Sequence, residues 1–403
     1  MKITSKKDKL IEKGILWELS KLFLKLGTIA FGGPAAHIAM MEDEVVKKRE
    51  WMSREHFLDL VGVTNLIPGP NSSEMAMHCG HEKAGWKGLV VAGVSFIIPA
   101  VIITAIFAWL YQKYGELPNV APFIYGIKPA VIAIIASAII TLGKKALKNY
   151  QLGIIGAITV IASLSGLNEI IALFGCGALG VIIYLIKNSS LKKPKDPFNN
   201  SSSPSNSSQS KLKSIAPIIF SPLLSANIAI IGNTQIFLTF LKIGALLYGS
   251  GYVLFAFLDA ELVTKGLLTR QILIDSVAVG QFTPGPVLST ATFIGWQLNG
   301  FWGSIVATLG IFTPSFLLVL LVNPIIPKLR KSKIMAAFLD AVNIASVAVI
   351  LVVCIHMFSE AVTDWRSLII GIVSMGVILI FKKINSAFIV IGGSILGAAL
   401  LLL

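Results

Sequence analysis

The sequence predicts an all-α integral membrane protein. It reads as a polytopic bundle of about 10–13 membrane segments, in two inverted-topology homologous halves, each with helices broken at Pro-Gly motifs. Three observations predict this. First, 55% of the 403 residues are hydrophobic and only 13% are charged, where soluble domains carry about 25%. Apolar runs of roughly 20 residues, long enough to span a bilayer as a helix, recur along the chain. Second, the halves repeat. Third, each half interrupts an apolar segment with Pro-Gly-Pro, at Pro68–Pro70 and at Pro284–Pro286. Proline removes a backbone donor and blocks helix continuation.

The net charge of +14 is read as Lys and Arg in short cytoplasmic loops, the positive-inside pattern, rather than as a nucleic-acid surface. The basic N-terminus lacks the small-residue cleavage site of a signal peptide. Cys79, Cys176 and Cys354 have no metal or disulfide spacing. "HCGHE" (His78 to Glu82) is too weak a pattern for a metal site. No Walker loop, Rossmann glycine pattern, nucleophile elbow or HExxH is present, so no cofactor, metal or enzyme activity is expected, and transport would be secondary.

Residues 187–213, rich in Ser, Asn, Pro and Lys, read as a disordered polar linker. It separates a first repeat, 1–186, from a second, 214–403. "FLKLGTIAFGG" (Phe23 to Gly33) matches "FLKIGALLYGS" (Phe240 to Ser250), and "SREHFLD" (Ser53 to Asp59) matches "TRQILID" (Thr269 to Asp275). Glu44 matches Glu261, "GWKG" (Gly85 to Gly88) matches "GFWG" (Gly300 to Gly303), and Pro99 matches Pro314. The offset drifts only from 217 to 215. Repeated halves are a feature of transporters.

Spans are expected over 89–110, 120–142, 151–166 and 168–186. Segments 15–41 and 57–80 are broken, at Gly32-Gly33-Pro34 and at Pro68-Gly69-Pro70, and either span or re-enter; the same holds for 234–260 and 274–299. With the N-terminus inside, Lys144, Lys145, Lys148 and the linker fall inside. Segment 215–231 crosses outward, so the second half starts outside. Lys328 to Lys333, Lys382 and Lys383 then fall inside, and Glu360, Asp364 and the C-terminus fall outside. The basic count thus makes the halves inverted in a cell (plasma) membrane. It favours a re-entrant 15–41, which puts Lys47, Lys48, Arg49 and Arg54 inside.

Non-helical backbone survives at membrane depth only where protein or a watery cavity covers it. After the first break a half-helix starts with Asn71, Ser72 and Ser73, which suit N-caps; after the second it includes Ser289 and Thr290. A helix N-terminus offers free N–H groups and partial positive charge, which suits an anion. Two inverted halves would aim two such N-termini at one midplane point. Asn65 and Gln281 flank the breaks. Lys25 and Lys242, repeat-equivalent in apolar segments, either supply charge to an anion or snorkel. Glu74 and His78, one turn apart, are proton-coupling candidates. Glu44, Glu261, Asp59 and Asp275 are expected to pair with Arg54 and Arg270 at helix ends.

At "FGGPAAHIAMMEDEVV", "NLIPGPNSSEMA" and "GQFTPGPVLSTATFIG" the chain resembles the chromate ion transporter family, in its long two-domain form. The resemblance covers both halves. It implies efflux of chromate, a tetrahedral dianion, with chromate resistance. By position it assigns the motif to Gly32, Gly33, Pro34, His37, Asn65, Pro68, Gly69, Pro70, Asn71 and Glu74, and to Gly280, Gln281, Pro284, Gly285, Pro286 and Thr292. Thr283, adjoining the second break, joins the expected substrate-binding set with Ser72, Ser73, Ser289 and Thr290. The second half departs from the first, since "YGSGYVL" (Tyr248 to Leu254) replaces "FGGPAAH". Expected partners are a chromate-like or sulfate-like oxyanion, the lipid bilayer, protons and a second copy in a homodimer. The alternatives are a sulfate or other oxyanion importer working as a proton symporter, a passive anion channel, and a membrane enzyme using the His78 region.

Overall fold

The computed structural model describes residues 6–31, 33–64, 67–115, 117–190, 232–248, 251–322, 333–381 and 384–402. Every regular element among them is a helix. The first half holds α1 (Lys6–Ile29), α2 (Pro34–Glu42) running into a π-helical turn (Asp43–Lys48), α3 (Arg54–Thr64), α4 (Ser72–Tyr114), α5 (Ala121–Ala146), α6 (Tyr150–Leu164) and α7 (Glu169–Ser190). The second holds α8 (Asn233–Leu246), α9 (Val253–Leu258) with its π-helical turn (Asp259–Val263), α10 (Arg270–Phe282), a 3-10 turn (Val287–Ser289), α11 (Thr290–Val322), α12 (Lys333–Ala361), α13 (Trp365–Ile380) and α14 (Ser386–Leu402). Five described helices are long and apolar enough to cross a membrane: Ser72–Tyr114, Ala121–Ala146, Glu169–Lys187, Val287–Leu321 and Lys333–Ala361. Tyr150–Leu164, Trp365–Ile380 and Ser386–Leu401 are apolar but shorter. The predicted linker from residue 191 onward, segment 215–231, Lys382, Lys383 and all of Lys328 to Lys333 except Lys333 lie outside the described residues.

The broken segments double back. Across the first break, Arg49 Nε lies 3.7 Å from Glu18 Oε1 and Lys25 Nζ lies 3.3 Å from Glu44 Oε1, while His37 Nε2 is 3.0 Å from the Ala30 carbonyl. These pairs set α2 antiparallel to α1. Pro34 starts α2, where a missing N–H costs nothing because the first helical N–H groups are unpaired anyway. In the next hairpin, His56 Nε2 sits 3.0 Å from Glu82 Oε2 and joins the start of α3 to α4 beyond the break. α4 then reverses at Ala84 (φ −146°, ψ 26°) and Gly85 (φ 60°, ψ −151°). α11 reverses at Asn299 (φ −153°, ψ 41°) and Gly300 (φ 56°, ψ −149°). The matching "GWKG" and "GFWG" stretches are this turn, and both glycines take the left-handed backbone that side chains disfavour. Gly80 packs on the Gly88 carbonyl across the first turn, and Gly295 on the Gly303 carbonyl across the second.

The ion pairs of the hairpins repeat as well, and they correct two expectations. Lys25–Glu44 recurs as Lys242–Glu261 at 2.6 Å, and Lys48–Glu44 recurs as Lys265–Glu261. Lys25 and Lys242 are therefore engaged with carboxylates instead of supplying charge to the breaks. Arg54 pairs with Glu42 at 3.0 Å and Arg270 with Asp259 at 2.9 Å, not with Glu44, Glu261 or Asp275. The wide π turn rotates Glu44 and Glu261 back onto α1 and α8. Asp275 instead accepts a hydrogen bond from Tyr111 Oη at 2.7 Å.

The halves interlock. α5 of the first half packs on the α13–α14 pair of the second, and α12 of the second packs on the α6–α7 pair of the first. Small residues permit the close approach: Gly126 meets the backbone of Gly393 and Gly397, and Gly180 meets Ala337 and Ala341. α4 and α11 pack on each other at the centre.

Candidate functional site

Each Pro-Gly-Pro break is tied to the other half. The Gly69 N–H donates to the Leu247 carbonyl at 2.7 Å, and the Gly285 N–H donates to the Ala30 carbonyl at 2.9 Å. Ala30 and Leu247 are repeat-equivalent and directly follow α1 and α8. Two donors in interrupted backbone are thus satisfied by two acceptors exposed where another helix ends, which is the condition for keeping such backbone inside a membrane protein. Gly69 (φ 144°) and Gly285 (φ 93°) adopt left-handed backbone. A β-carbon on Gly69 would strike the Glu74 carboxyl and the Ser315 hydroxyl; one on Gly285 would lie 3.0 Å from Ala100 Cβ and 3.2 Å from the Gly27 carbonyl.

His37 joins three elements. Its Nε2 faces the Ala30 carbonyl at 3.0 Å, and its Nδ1 lies 3.1 Å from Ser72 Oγ. A carbonyl only accepts, so the proton belongs on Nε2, and Nδ1 takes the Ser72 hydroxyl proton. The imidazole edge also packs on Phe96, with ring centroids 5.7 Å apart.

A narrow cavity of about 30 Å³ opens beside these bonds. From the first half come Ala30, Gly33, Pro34 and His37; from the second come Gly251, Tyr252, Gly280, Gln281, Thr283, Gly285, Val287 and Ser386. Among the described residues, no wall residue carries a permanent charge. The Gln281 Nε2 amide is buried without a hydrogen-bond partner among the described residues, and its Oε1 faces Tyr252 Oη at 3.5 Å. An unused buried donor is costly unless a ligand or water occupies it. The N-terminal turn of α2, at Gly33 and Pro34, opens on the same space and adds helix-dipole potential favourable to an anion.

The structure thus brings Gly33, Pro34, His37, Gln281, Thr283 and Gly285 together around one cavity. Pro284 and Pro286 are buried beside it. Ser289 Oγ accepts from Thr104 Oγ1 at 3.3 Å, and Thr290 Oγ1 donates to the Val287 carbonyl at 2.8 Å. Pro68, Gly69, Pro70 and Ser73 are buried, and Asn71 faces a different cavity. The expected convergence of two Pro-Gly-Pro N-termini is therefore replaced by another arrangement, in which each such break meets the other half's first break. Nor does Asn71 cap α4: its φ is 59° and its side chain makes no capping bond, because left-handed backbone swings the amide away from the helix N–H groups. Glu74 and His78 are fully buried behind the break, and neither Glu74 oxygen has a hydrogen-bond partner among the described residues. Gly32 and Asn65 lie outside the described residues. Sequence reasoning missed Ala30, Gly251, Tyr252, Val287 and Ser386. Tyr252 carried a signal, since it is a polar side chain within the stretch that replaces "FGGPAAH" in the second half.

The family model described as "Chromate transporter" matches residues 17–181 and again residues 234–398. A "Chromate transport protein" of Cupriavidus metallidurans is 30% identical over 388 residues, covering 95% of this chain and 92% of that one. A "Probable chromate transport protein" of Synechococcus elongatus is 29% identical over 369 residues, covering 89% of each. An uncharacterized transporter of Methanocaldococcus jannaschii is 29% identical over 413 residues, covering 100% of this chain and 99% of that one. No solved structure matches the chain.

Proposed function

Because the chain belongs to the chromate transporter family, with both repeats present, we propose that it exports chromate from the cytoplasm by alternating access and so confers chromate resistance. The observation that carries the site is the buried, unpartnered Gln281 amide donor in a cavity where one half's Pro-Gly-Pro meets the other half's first break. Neutral donors and a helix N-terminus there bind the dianion without a permanent countercharge, so it can leave again. Export follows physically. One charge crossing 100 mV changes energy by about 2.3 kcal/mol, so a dianion leaving an inside-negative cell gains about 4.6 kcal/mol. That supports more than about a thousandfold outward gradient without a coupling ion.

The orientation belongs to the same reading: a plasma-membrane protein with the N-terminus cytoplasmic, the C-terminus outside and the halves inverted. The contacts agree with it. Lys148 bonds Asp340 at 2.6 Å, and both fall on the cytoplasmic side. Tyr125 bonds Asp364, and Arg270 bonds Glu360 at 2.7 Å, and all four fall outside. Glu74 is assigned as the group through which protons, if coupled, enter the cycle.

Radiolabelled chromate flux into inverted vesicles tests the reading, with and without excess sulfate. Wild type is expected to accumulate chromate when energised. Gly69→Leu plus Gly285→Leu, which forces side chains into left-handed backbone, is expected to abolish accumulation. No chromate movement, with sulfate entering right-side-out vesicles, would transfer the function to oxyanion import.

A further inference from the structure

A second cavity, of about 180 Å³, opens on the first Pro-Gly-Pro break. Ile67 and Asn71 form one wall, Lys145 and Lys148 at the end of α5 another, and Asp340 and Asn343 of α12 a third. The repeat maps Ile67 onto Thr283 and Asn71 onto Val287, and those two line the Gln281 cavity. The same two positions of each break therefore face a cavity, and the cavities are different ones. The chemistry of the walls differs too. Among the described residues, the Gln281 cavity has no permanently charged wall residue, whereas this one presents two ammonium groups against one carboxylate. Lys148 Nζ is held by Asp340 Oδ1 at 2.6 Å, with side chains 59% and 34% exposed; exposed pairs of this kind are weak. No ion pair to Lys145 is found among the described residues. The wall lies against the break itself: the Ser346 hydroxyl, which bonds the Val342 carbonyl at 2.8 Å, also lies 3.3 Å from the Tyr248 carbonyl, next to the Leu247 carbonyl that takes the Gly69 N–H.

We propose that this cavity is a capture site for a tetrahedral oxyanion, the entrance through which it reaches the first break. It rests on the anion-transport reading above. Lys145 and Lys148 draw the anion in, and the anion displaces Asp340 from Lys148. The Asn71 and Asn343 amides stand deeper, as neutral donors that accept the anion from the lysines. A wall with net positive charge in low-dielectric surroundings concentrates anions by about tenfold or more. Capture by charge and release to neutral donors separates the step that needs attraction from the step that needs escape.

The test is concentration-dependent uptake of radiolabelled chromate into inverted vesicles, at low and high ionic strength. Lys145→Gln with Lys148→Gln is expected to raise KM about tenfold or more and to flatten its salt dependence. Asp340→Asn, which unpairs Lys148 and keeps both lysines, is expected to lower KM. Lys144→Gln, on the same turn but outside the wall, serves as the charge control and is expected to leave KM as in wild type. A double variant with wild-type KM and salt dependence, alongside flux lost in Gly69→Leu plus Gly285→Leu, overturns the capture site and leaves the transport reading standing. Absence of chromate flux in wild type overturns both. If the double variant does not fold, Asp340→Asn decides alone: a lowered KM supports the site, and an unchanged or raised KM overturns it.

Discussion

Gln281 places on the wall of the break cavity a buried amide nitrogen without a partner among the described residues. A hydrogen bond to a charged ligand contributes about 1.5–3 kcal/mol. Gln281→Leu is therefore expected to weaken chromate binding by about 10- to 150-fold, measured by equilibrium binding to the purified protein; an unchanged affinity would remove Gln281 from the site. His37 acts differently. Both ring nitrogens are engaged, one on Ala30 and one on Ser72, so it fixes geometry. His37→Ala removes both ring bonds, leaving the Ser72 hydroxyl only the longer bond to the Pro70 carbonyl at 3.4 Å, and is expected to cost about 1–3 kcal/mol, read as a lower Tm in detergent. Glu74→Gln keeps the shape of a fully buried side chain and removes its proton exchange. If protons are coupled, transport loses its pH dependence and keeps its binding; a retained pH dependence rules Glu74 out of that role.

At the scale of elements, the helical hairpins rest on glycines and on carboxylates. The turns at Gly85 and Gly300 let Gly80 and Gly295 touch the opposite carbonyls. Gly80→Leu overpacks that contact and is expected to destabilise by about 1–3 kcal/mol or more, seen as a lowered Tm. The π turns place Glu44 and Glu261 on cations from α1 and α8. Burial works to raise the Glu44 pKa, but Arg49, Lys48 and Lys25 outweigh it and hold the carboxyl below its usual 4.5. The folded pKa lies below the unfolded one, so the contribution is fully present above about pH 4.5 and is lost as pH falls through the folded value. The wild-type Tm is expected to drop below about pH 4.5, and Glu44→Gln to drop less over the same range. Equal acid sensitivity in the two proteins would contradict the assignment.

For the whole molecule, the repeat is an exchange rather than a row of two domains. The Gly69–Leu247 and Gly285–Ala30 bonds cross between halves, and so does the packing of α5 on α13–α14 and of α12 on α6–α7. Each half therefore buries part of its apolar surface on the other, although the core from Leu19 to Phe96 is built within the first half alone. A chain cut within 191–213 is expected to give two fragments that co-purify when expressed together and aggregate when expressed alone; a stable, monodisperse single fragment would refute this. Inverted halves also predict that single cysteines at the exposed Ser53 and Thr269 react with an impermeant thiol reagent from opposite sides of the membrane. Reaction from the same side would defeat the inversion.

What the sequence determined by itself was the class, the repeat and the places where helices stop. Charge scarcity and 20-residue apolar runs follow from the bilayer as solvent, and Pro-Gly-Pro acts on its own backbone, so these are local or compositional effects. The match of Gly85 with Gly300 likewise became a turn with nearly the same dihedrals. Partners were decided only by tertiary structure. Lys25 looked like a free cation until the fold brought Glu44 against it. Asn71 looked like an N-cap until a positive φ turned it into a second cavity. Ser386 entered the site from a segment with no motif, and Tyr252 from a stretch whose motif differs from its repeat partner. The reason is that hydrogen bonds and ion pairs reach only about 3 Å, and which groups come that close depends on how two interlocked halves pack. No pattern along one chain records that packing.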